Sequence, residues 1–469
     1  MIARSLVMMG VLFFSLGPVW SQNGGSQSGG SQNGGAQNAQ NGAPPEGAAD
    51  QGDDAQMAAP PTAGGMAFPA RTGSEERSNY LSIGLVAGVG YDTNVYYGEG
   101  IAPEADETYS ILPTVQIDRT SERLHENLSY NPGFLFYQQA TALNEVSENA
   151  TGEVDYRVSP HSNVSVYDSF LKTSNVFSQP YSLSGGTISG SPGTPGALAL
   201  APYADQILNH GGGLYSYQFS RNAMFGVGGG ASELDYPNSG EAVGLYNANT
   251  YSGNAFYNLR LTPRQYLGAT VDYFNVTESA AKAGGGQTQT VAVLPFYTFY
   301  PRKNIFLTVS GGPQYYTATF EPAPPVKGWS PTVMASAHAE VERAAFSASY
   351  QRTVTAGGGL LGVFTTNSGS AEFRLQLSRT WGMGCSGSYA STAADNAGQA
   401  GITAVAGENG HVVRAAGSLS HILSPRVSAE VGYDYLRQDY AGIPAVANAP
   451  NTQRVYGTIQ YQLRRPLGR

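Results

Sequence analysis

Six histidines and one cysteine are the residues best suited to nucleophilic or metal chemistry in this chain, and their placement favours neither. The six are His125, His161, His210, His338, His411 and His421. His161 lies in a turn, Ser159-Pro160-His161, and His421 sits beside another, Ser424-Pro425-Arg426. His338 stands two residues from Glu340 on one face of an alternating segment, but no nucleophile with a recognisable context accompanies it. No Gly-x-Ser-x-Gly elbow, His-Glu-x-x-His pair or metal-spaced Cys/His cluster occurs. Gly228-Gly229-Gly230, Gly284-Gly285-Gly286 and Gly357-Gly358-Gly359 lack the Lys-Ser/Thr of a phosphate loop and read as strand curvature or turns. Cys385 has no partner for an internal disulfide and falls on an apolar face, where packing is its role. The expectation is a non-enzyme with no catalytic residue, metal or cofactor.

The charged residues suggest another chemistry, the electrostatics of a polar passage. Alternation places Asp118, Glu126, Glu153, Asp155, Asp272, Glu340, Glu372, Glu430 and Asp434 on the polar faces of their segments, together with His338. Arg157, Arg260, Arg374 and Arg414 share that side. If those faces line a lumen, acids outnumber bases there, and a weak cation preference follows. The competing reading has many of these charges pairing across strands to brace a wall, with Glu372, Arg374 and Arg414 the best candidates.

The elements that would position them are strands. In Ala371 to Ser378, Ala371, Phe373, Leu375 and Leu377 share one face, and Glu372, Arg374, Gln376 and Ser378 the other. Val427 to Tyr435, Val455 to Leu463 and Thr332 to Val341 repeat the scheme, the period-two signature of one apolar and one polar face. A soluble sandwich would pack the apolar faces on a second sheet. The strands are long enough to tilt across a bilayer, and Tyr and Phe cluster near the ends of the apolar faces, which favours a barrel.

Short polar turns punctuate the strands at Ser159-Pro160-His161, Ser220-Arg221-Asn222, Thr262-Pro263-Arg264, Pro301-Arg302-Lys303, Ser378-Arg379-Thr380 and Ser424-Pro425-Arg426. Arg119 to Arg123 and Glu342-Arg343 complete the series. Eight short turns imply an all-β, transmembrane, antiparallel up-and-down β-barrel of about 18 strands, with 16 as the alternative. The short turns and both termini are expected in the periplasm, and longer loops outside. Those loops are expected near residues 95 to 106, 139 to 145, 175 to 205, 235 to 243, 279 to 286, 320 to 328, 357 to 364, 392 to 408 and 439 to 450. Tyr91-Asp92, Tyr167-Asp168, Asp272-Tyr273 and Tyr433-Asp434 are read as interfacial tyrosines with rim carboxylates.

Arg4 followed by the apolar Leu6 to Leu16 and by Val19-Trp20-Ser21 reads as an export signal over residues 1–21. Residues 22–78, rich in Gly, Ser, Gln, Asn and Pro, read as a disordered periplasmic tether, or alternatively a plug for the lumen. Residues 79–469 form the barrel. A mean hydropathy of -0.23 is no objection, because inward and outward residues average out. A net charge of -9 argues against nucleic-acid partners.

Gly88-Val89-Gly90-Tyr91-Asp92-Thr93-Asn94-Val95-Tyr96 resembles the first strand of outer-membrane β-barrel porins that accompany exopolysaccharide secretion, and the Ser/Thr-Pro-Arg turns are similar to that group's. The resemblance implies an outer-membrane channel for small solutes or exported polysaccharide. Implied partners are outer-membrane lipids, the insertion machinery and polysaccharide-secretion components. The alternative is a non-conducting structural or adhesive barrel. Arg464 to Arg469 is a departure, read as a basic tail beyond the last strand. The loop at 175 to 205, with its apolar patch at Ala197 to Ala201, is the expected constriction.

Overall fold

The structure, a computed structural model, describes residues 79–96, 104–177, 205–237, 245–279, 285–320, 324–394, 410–440 and 449–467. The expected signal 1–21, the segment 22–78 and most of the connection 175 to 205, including Ala197 to Ala201, lie outside these residues.

The first strands are β1 (Tyr80–Asp92), β2 (Asp106–Thr120), β3 (Leu124–Tyr130), β4 (Gly133–Tyr137), β5 (Glu145–Ser159) and β6 (Ser162–Thr173). Next come β7 (Gln206–Ser220), β8 (Ala223–Asp235), β9 (Asn247–Thr262), β10 (Gln265–Ser279), β11 (Gly285–Arg302), β12 (Ile305–Phe320) and β13 (Val326–Val341). The last are β14 (Ala344–Gly357), β15 (Leu360–Gln376), β16 (Trp381–Ala394), β17 (Gly410–Ser424), β18 (Val427–Tyr440) and β19 (Ala449–Pro466). Both β3 and β4 pair with β2 and with β5, so they are one strand broken at Asn131-Pro132, where proline has no N–H to donate. The wall is therefore a closed antiparallel barrel of eighteen strands, sealed where β1 pairs with β19 from Tyr80↔Pro466 to Asp92↔Arg454.

Alternation is realised as expected. Along β1, Ile83, Leu85, Val89 and Tyr91 point outward and are about half exposed, while Asp92 is buried inside. All eight short turns join hairpins at one end, where the first and last described residues of the barrel also meet, Leu467 N–H donating to the Asn79 carbonyl. Two expectations need correction. Residues 357 to 364 are not a long loop: Gly358 and Gly359, at φ 70° and 94°, make a two-residue turn between Gly357 and Leu360. Positive φ at both central positions is the hairpin geometry whose twist matches its strands. Nor is Arg464 in a tail, since Arg464 pairs with Ser82 and Arg465 with Leu81 inside the closing seam.

The inner face has a repeated joint. An aromatic ring lies over the glycine directly opposite it on the next strand in the pairs Tyr167–Gly212, Phe256–Gly226, Phe296–Gly268, Phe320–Gly286, Tyr316–Gly328, Tyr440–Gly410 and Tyr456–Gly432. Each ring covers backbone that its partner has no side chain to shield. At Gly268 a Cβ would clash with both the Phe296 ring and the Tyr257 carbonyl oxygen. On the outer face, a Cβ at Gly253 would meet only the Gly228 carbonyl, at 3.9 Å. Gly268→Ala is therefore expected to destabilise the barrel by about 1–3 kcal/mol. Gly253→Ala should change it by less than about 0.5 kcal/mol. Urea midpoints of detergent-folded protein compare the two, and equal midpoints would remove the joint as a source of stability.

Candidate functional site

The inner face of the barrel is the candidate site. Pairing register and alternation put thirteen of the fourteen sequence-selected residues on it. Near the short turns, His125 lies between Asp118 and Asp155, at 3.7 and 3.6 Å, with Glu153 on the same side of β5. Arg157 donates to the Glu122 carbonyl at 2.8 Å, and Arg260 to the Arg221 carbonyl at 3.0 Å. Arg374 pairs with Glu372 at 2.6 Å along the same strand, β15, rather than across strands, and Glu340 lies on the inner side of β13 near its turn. His338 is buried, its ring 5.5 Å from Phe306, and Asp272 is buried with Thr270 donating to it at 3.0 Å. Glu430, near the 424–426 turn, accepts from the Tyr456 hydroxyl at 3.2 Å, and further along β18 Asp434 pairs with Arg454 at 2.6 Å. Arg414 donates to the Val176 carbonyl at 3.0 Å.

Glu126 is the correction. It sits opposite Arg119 and Val154, on the outer side with Ile117 and Tyr156, and makes a 3.9 Å ion pair with Arg119. The 121–123 turn pairs Thr120 with His125, so the inward positions of β3 are His125, Asn127 and Ser129, and the same parity continues into β4, where Phe134 and Phe136 point outward. Tyr167 is likewise reversed: it faces inward against His210, with ring centroids 5.0 Å apart, while Tyr91, Tyr273 and Tyr433 point outward. Alternation carried one step past each end of the Val455 to Leu463 pattern would have added Arg454 and Arg464 to the inner face.

Towards the long-connection end an apolar cluster crosses the lumen. Pairing of β13 with β14 stops at Val333↔Arg352, although β14 stays paired with β15 up to Gly357. Two prolines explain the parting. Pro313 and Pro331 face each other across β12 and β13, a place two residues without N–H can share only as a non-hydrogen-bonded pair. The nitrogen of Pro331 then points at β14, where a donor is missing. The Gln314 side chain serves the loose edge instead: it accepts from Val354 N–H at 3.0 Å and donates to the Val354 carbonyl at 2.9 Å. Thr332 and Thr353 hydroxyls donate to the same amide oxygen, at 2.7 and 3.2 Å.

Freed from β13, the tip of the β14–β15 hairpin sits inside the ring. Leu360, Leu361, Val363 and Phe364 are buried, and Tyr246 N–H donates to the Gly359 carbonyl at 3.0 Å. Leu360 and Phe364 belong to an apolar cluster that joins Leu234, Leu245 and Val276 to Val412 and Leu436. These residues come from opposite arcs of the wall, so the cluster spans the lumen. Tyr236, between β8 and β9, is wholly buried in it, and that burial raises its phenol pKa above the ordinary tyrosine range. Burial and the nearby Glu278 raise Tyr246 in the same direction.

The start of the 175 to 205 connection joins the cluster. Val176 is in the apolar cluster, and the Arg454 guanidinium lies 4.4 Å over the Phe177 ring. Register places Arg454 between Asp92 on β1 and Asp434 on β18. Glu145 fixes the strand end below, accepting from the Thr173 hydroxyl at 2.6 Å and Ser174 N–H at 2.7 Å. Among the described residues no group of three or more His, Cys, Asp or Glu stands close enough to hold a metal ion.

No family model and no curated protein matches the chain. Among solved structures it is similar to Pseudomonas aeruginosa OccK2 (OpdF), with 12% identity, 82% of this chain and 98% of that one covered, and a TM-score of 0.38. It is similar to Acinetobacter baumannii OccAB2 at 10% identity, with 82% and 98% covered and a TM-score of 0.40. The FrpB iron transporter of Neisseria meningitidis matches at 10% identity, with 79% and 65% covered and a TM-score of 0.41. Likeness this slight says nothing about activity.

Arg414 and Arg454 anchor the chain from Ser174 to Phe177. Replacing both by Gln is expected to raise hydrogen exchange at those amides at least about tenfold while protection in β17 and β19 holds. Unchanged exchange would show that the apolar cluster alone retains the segment.

Proposed function

We propose that the chain is an outer-membrane channel for small solutes, held in a narrow or closed state by the hairpin tip. The observation that carries this reading is the wall itself, a closed ring with an apolar exterior that turns most of its charged strand residues inside. An apolar exterior with an internally satisfied backbone suits a bilayer, and an 18-strand ring is wide enough for an aqueous passage. Polysaccharide as the cargo rests only on the resemblance at residues 88–96 and the similar turns. The periplasmic position of the short turns belongs to the same proposal, as does the role of 1–21 as an export signal and of 22–78 as a periplasmic tether.

Selectivity follows from the inner face. Counting Asp92 and Glu145 with the expected acids, and Arg302, Arg454 and Arg464 with the expected bases, leaves acids in excess, although Asp434 and Glu372 are matched by Arg454 and Arg374. The channel, when open, prefers cations weakly. The spanning apolar cluster favours a second reading, a permanently closed barrel that acts through its outer surface.

Single-channel recording in planar bilayers separates the two. The native barrel is expected to show low conductance with infrequent openings, and Leu360→Asp with Leu361→Asp to raise open probability severalfold by placing charges in the cluster. Reversal potentials in a salt gradient should take the sign of cation selectivity. Silence from both folded proteins would support the closed barrel, while anion selectivity would overturn the charge argument.

A further inference from the structure

Six of the eight short turns are built alike. An outward apolar residue, about half exposed, stands at the strand end: Val158, Phe219, Leu261, Val341, Leu377 and Leu423. Two or three residues later an exposed cationic or titratable side chain follows, in order His161, Arg221, Arg264, Arg343, Arg379 and Arg426. Arg123 and Lys303 occupy the other two turns, so seven turns carry a permanent cation, against two turn acids, Glu122 and Glu342. Turns join alternate strand gaps, which spaces these charges roughly 10–13 Å apart around one rim. Among the described residues at the opposite rim, the outward cations are Lys172 and Arg437, answered by Asp205 and Asp439 at 4.0 and 3.6 Å, and the exposed Lys327, against seven cations at the short turns.

We infer that the short-turn rim is a collar that binds the phosphate headgroups of anionic phospholipids, an inference that rests on the membrane-spanning reading above. The apolar residue marks where hydrocarbon ends, and the cation beyond it falls at headgroup depth. Guanidinium presents paired donors that match phosphate oxygens, and six of them with the Lys303 ammonium in a ring meet a whole annulus of lipid. A site for a soluble anion would instead concentrate cations on the inner side of the mouth. There Arg157, Arg260 and Arg374 stand among Asp118, Asp155, Glu340 and Glu372.

Two tryptophans report the rims separately. Trp381, 41% exposed, follows Arg379 by two residues, and Trp329, 72% exposed, lies on the outer face near the far end of β13. The full chain carrying Trp20→Phe with either Trp329→Phe or Trp381→Phe is placed in bilayers containing brominated phosphatidylglycerol or brominated phosphatidylcholine with identical acyl chains. Quenching of Trp381 should show at least about threefold tighter association with the anionic lipid, falling in 0.5 M salt, on the order of one cation's effect at a charged surface. Arg343→Gln, Arg379→Gln and Arg426→Gln together should bring the ratio close to one, with quenching by phosphatidylcholine unchanged as the sign of intact insertion. Trp329 should show little preference. Equal association of Trp381 with both lipids would overturn the collar, as would a preference that survives the triple substitution. Loss of the preference to millimolar inorganic phosphate would assign the turns to a soluble anion and also overturn it. Absence of quenching at both tryptophans by either lipid would refute membrane insertion itself, a separate failure.

Discussion

A strand wall has two edges of unpaired backbone unless it closes, and everything else here depends on that closure. The pairing of β1 with β19 satisfies the edges over the full length of β1 and turns an open sheet into a ring. Once the ring exists, one set of alternate side chains must face a confined interior and the other must face outward. The composition follows from this division: hydroxyls, amides and charges inside, aliphatic and aromatic residues outside. The aromatic-over-glycine joints belong to the inner set, where a ring laid flat on the wall fills space without projecting far into the lumen.

The ring was legible in the sequence because its signals are local. Eight turns announced themselves by Pro, Ser and Arg between alternating runs, and every one joins a hairpin. Alternation also placed the inner residues, apart from Glu126, whose face is set by the Thr120↔His125 pairing across the turn, and it placed Cys385 on the exposed outer face. Gly357-Gly358-Gly359 looked like the start of a long loop because three glycines followed by Leu-Leu-Gly carry little strand propensity. They form instead a tight turn whose following strand has its apolar residues on both faces, Leu360 and Leu361 alike being buried.

The cluster across the lumen was not legible, for a different reason. It depends on relations between strands that no single segment displays: Pro331 opposite Pro313, the end of the β13–β14 ladder, and one glutamine standing in for a strand edge. Buried leucines at a hairpin tip are visible in sequence only as an apolar run. What they pack against is Val176, Leu245, Val276 and Leu436, residues far away along the chain and on other arcs of the ring. The arginines that hold Val176 and Phe177 were split by the same problem, with Arg414 recognised and Arg454 left out at the margin of its pattern.

A closed ring of staves is a hoop, and a hoop fails at its weakest joint. The β13–β14 seam holds nine residue pairs, fewer than the thirteen that seal β1 to β19 or the fifteen between β10 and β11. The hairpin whose tip joins the cluster across the lumen is therefore withdrawn from the very seam that most needs reinforcement.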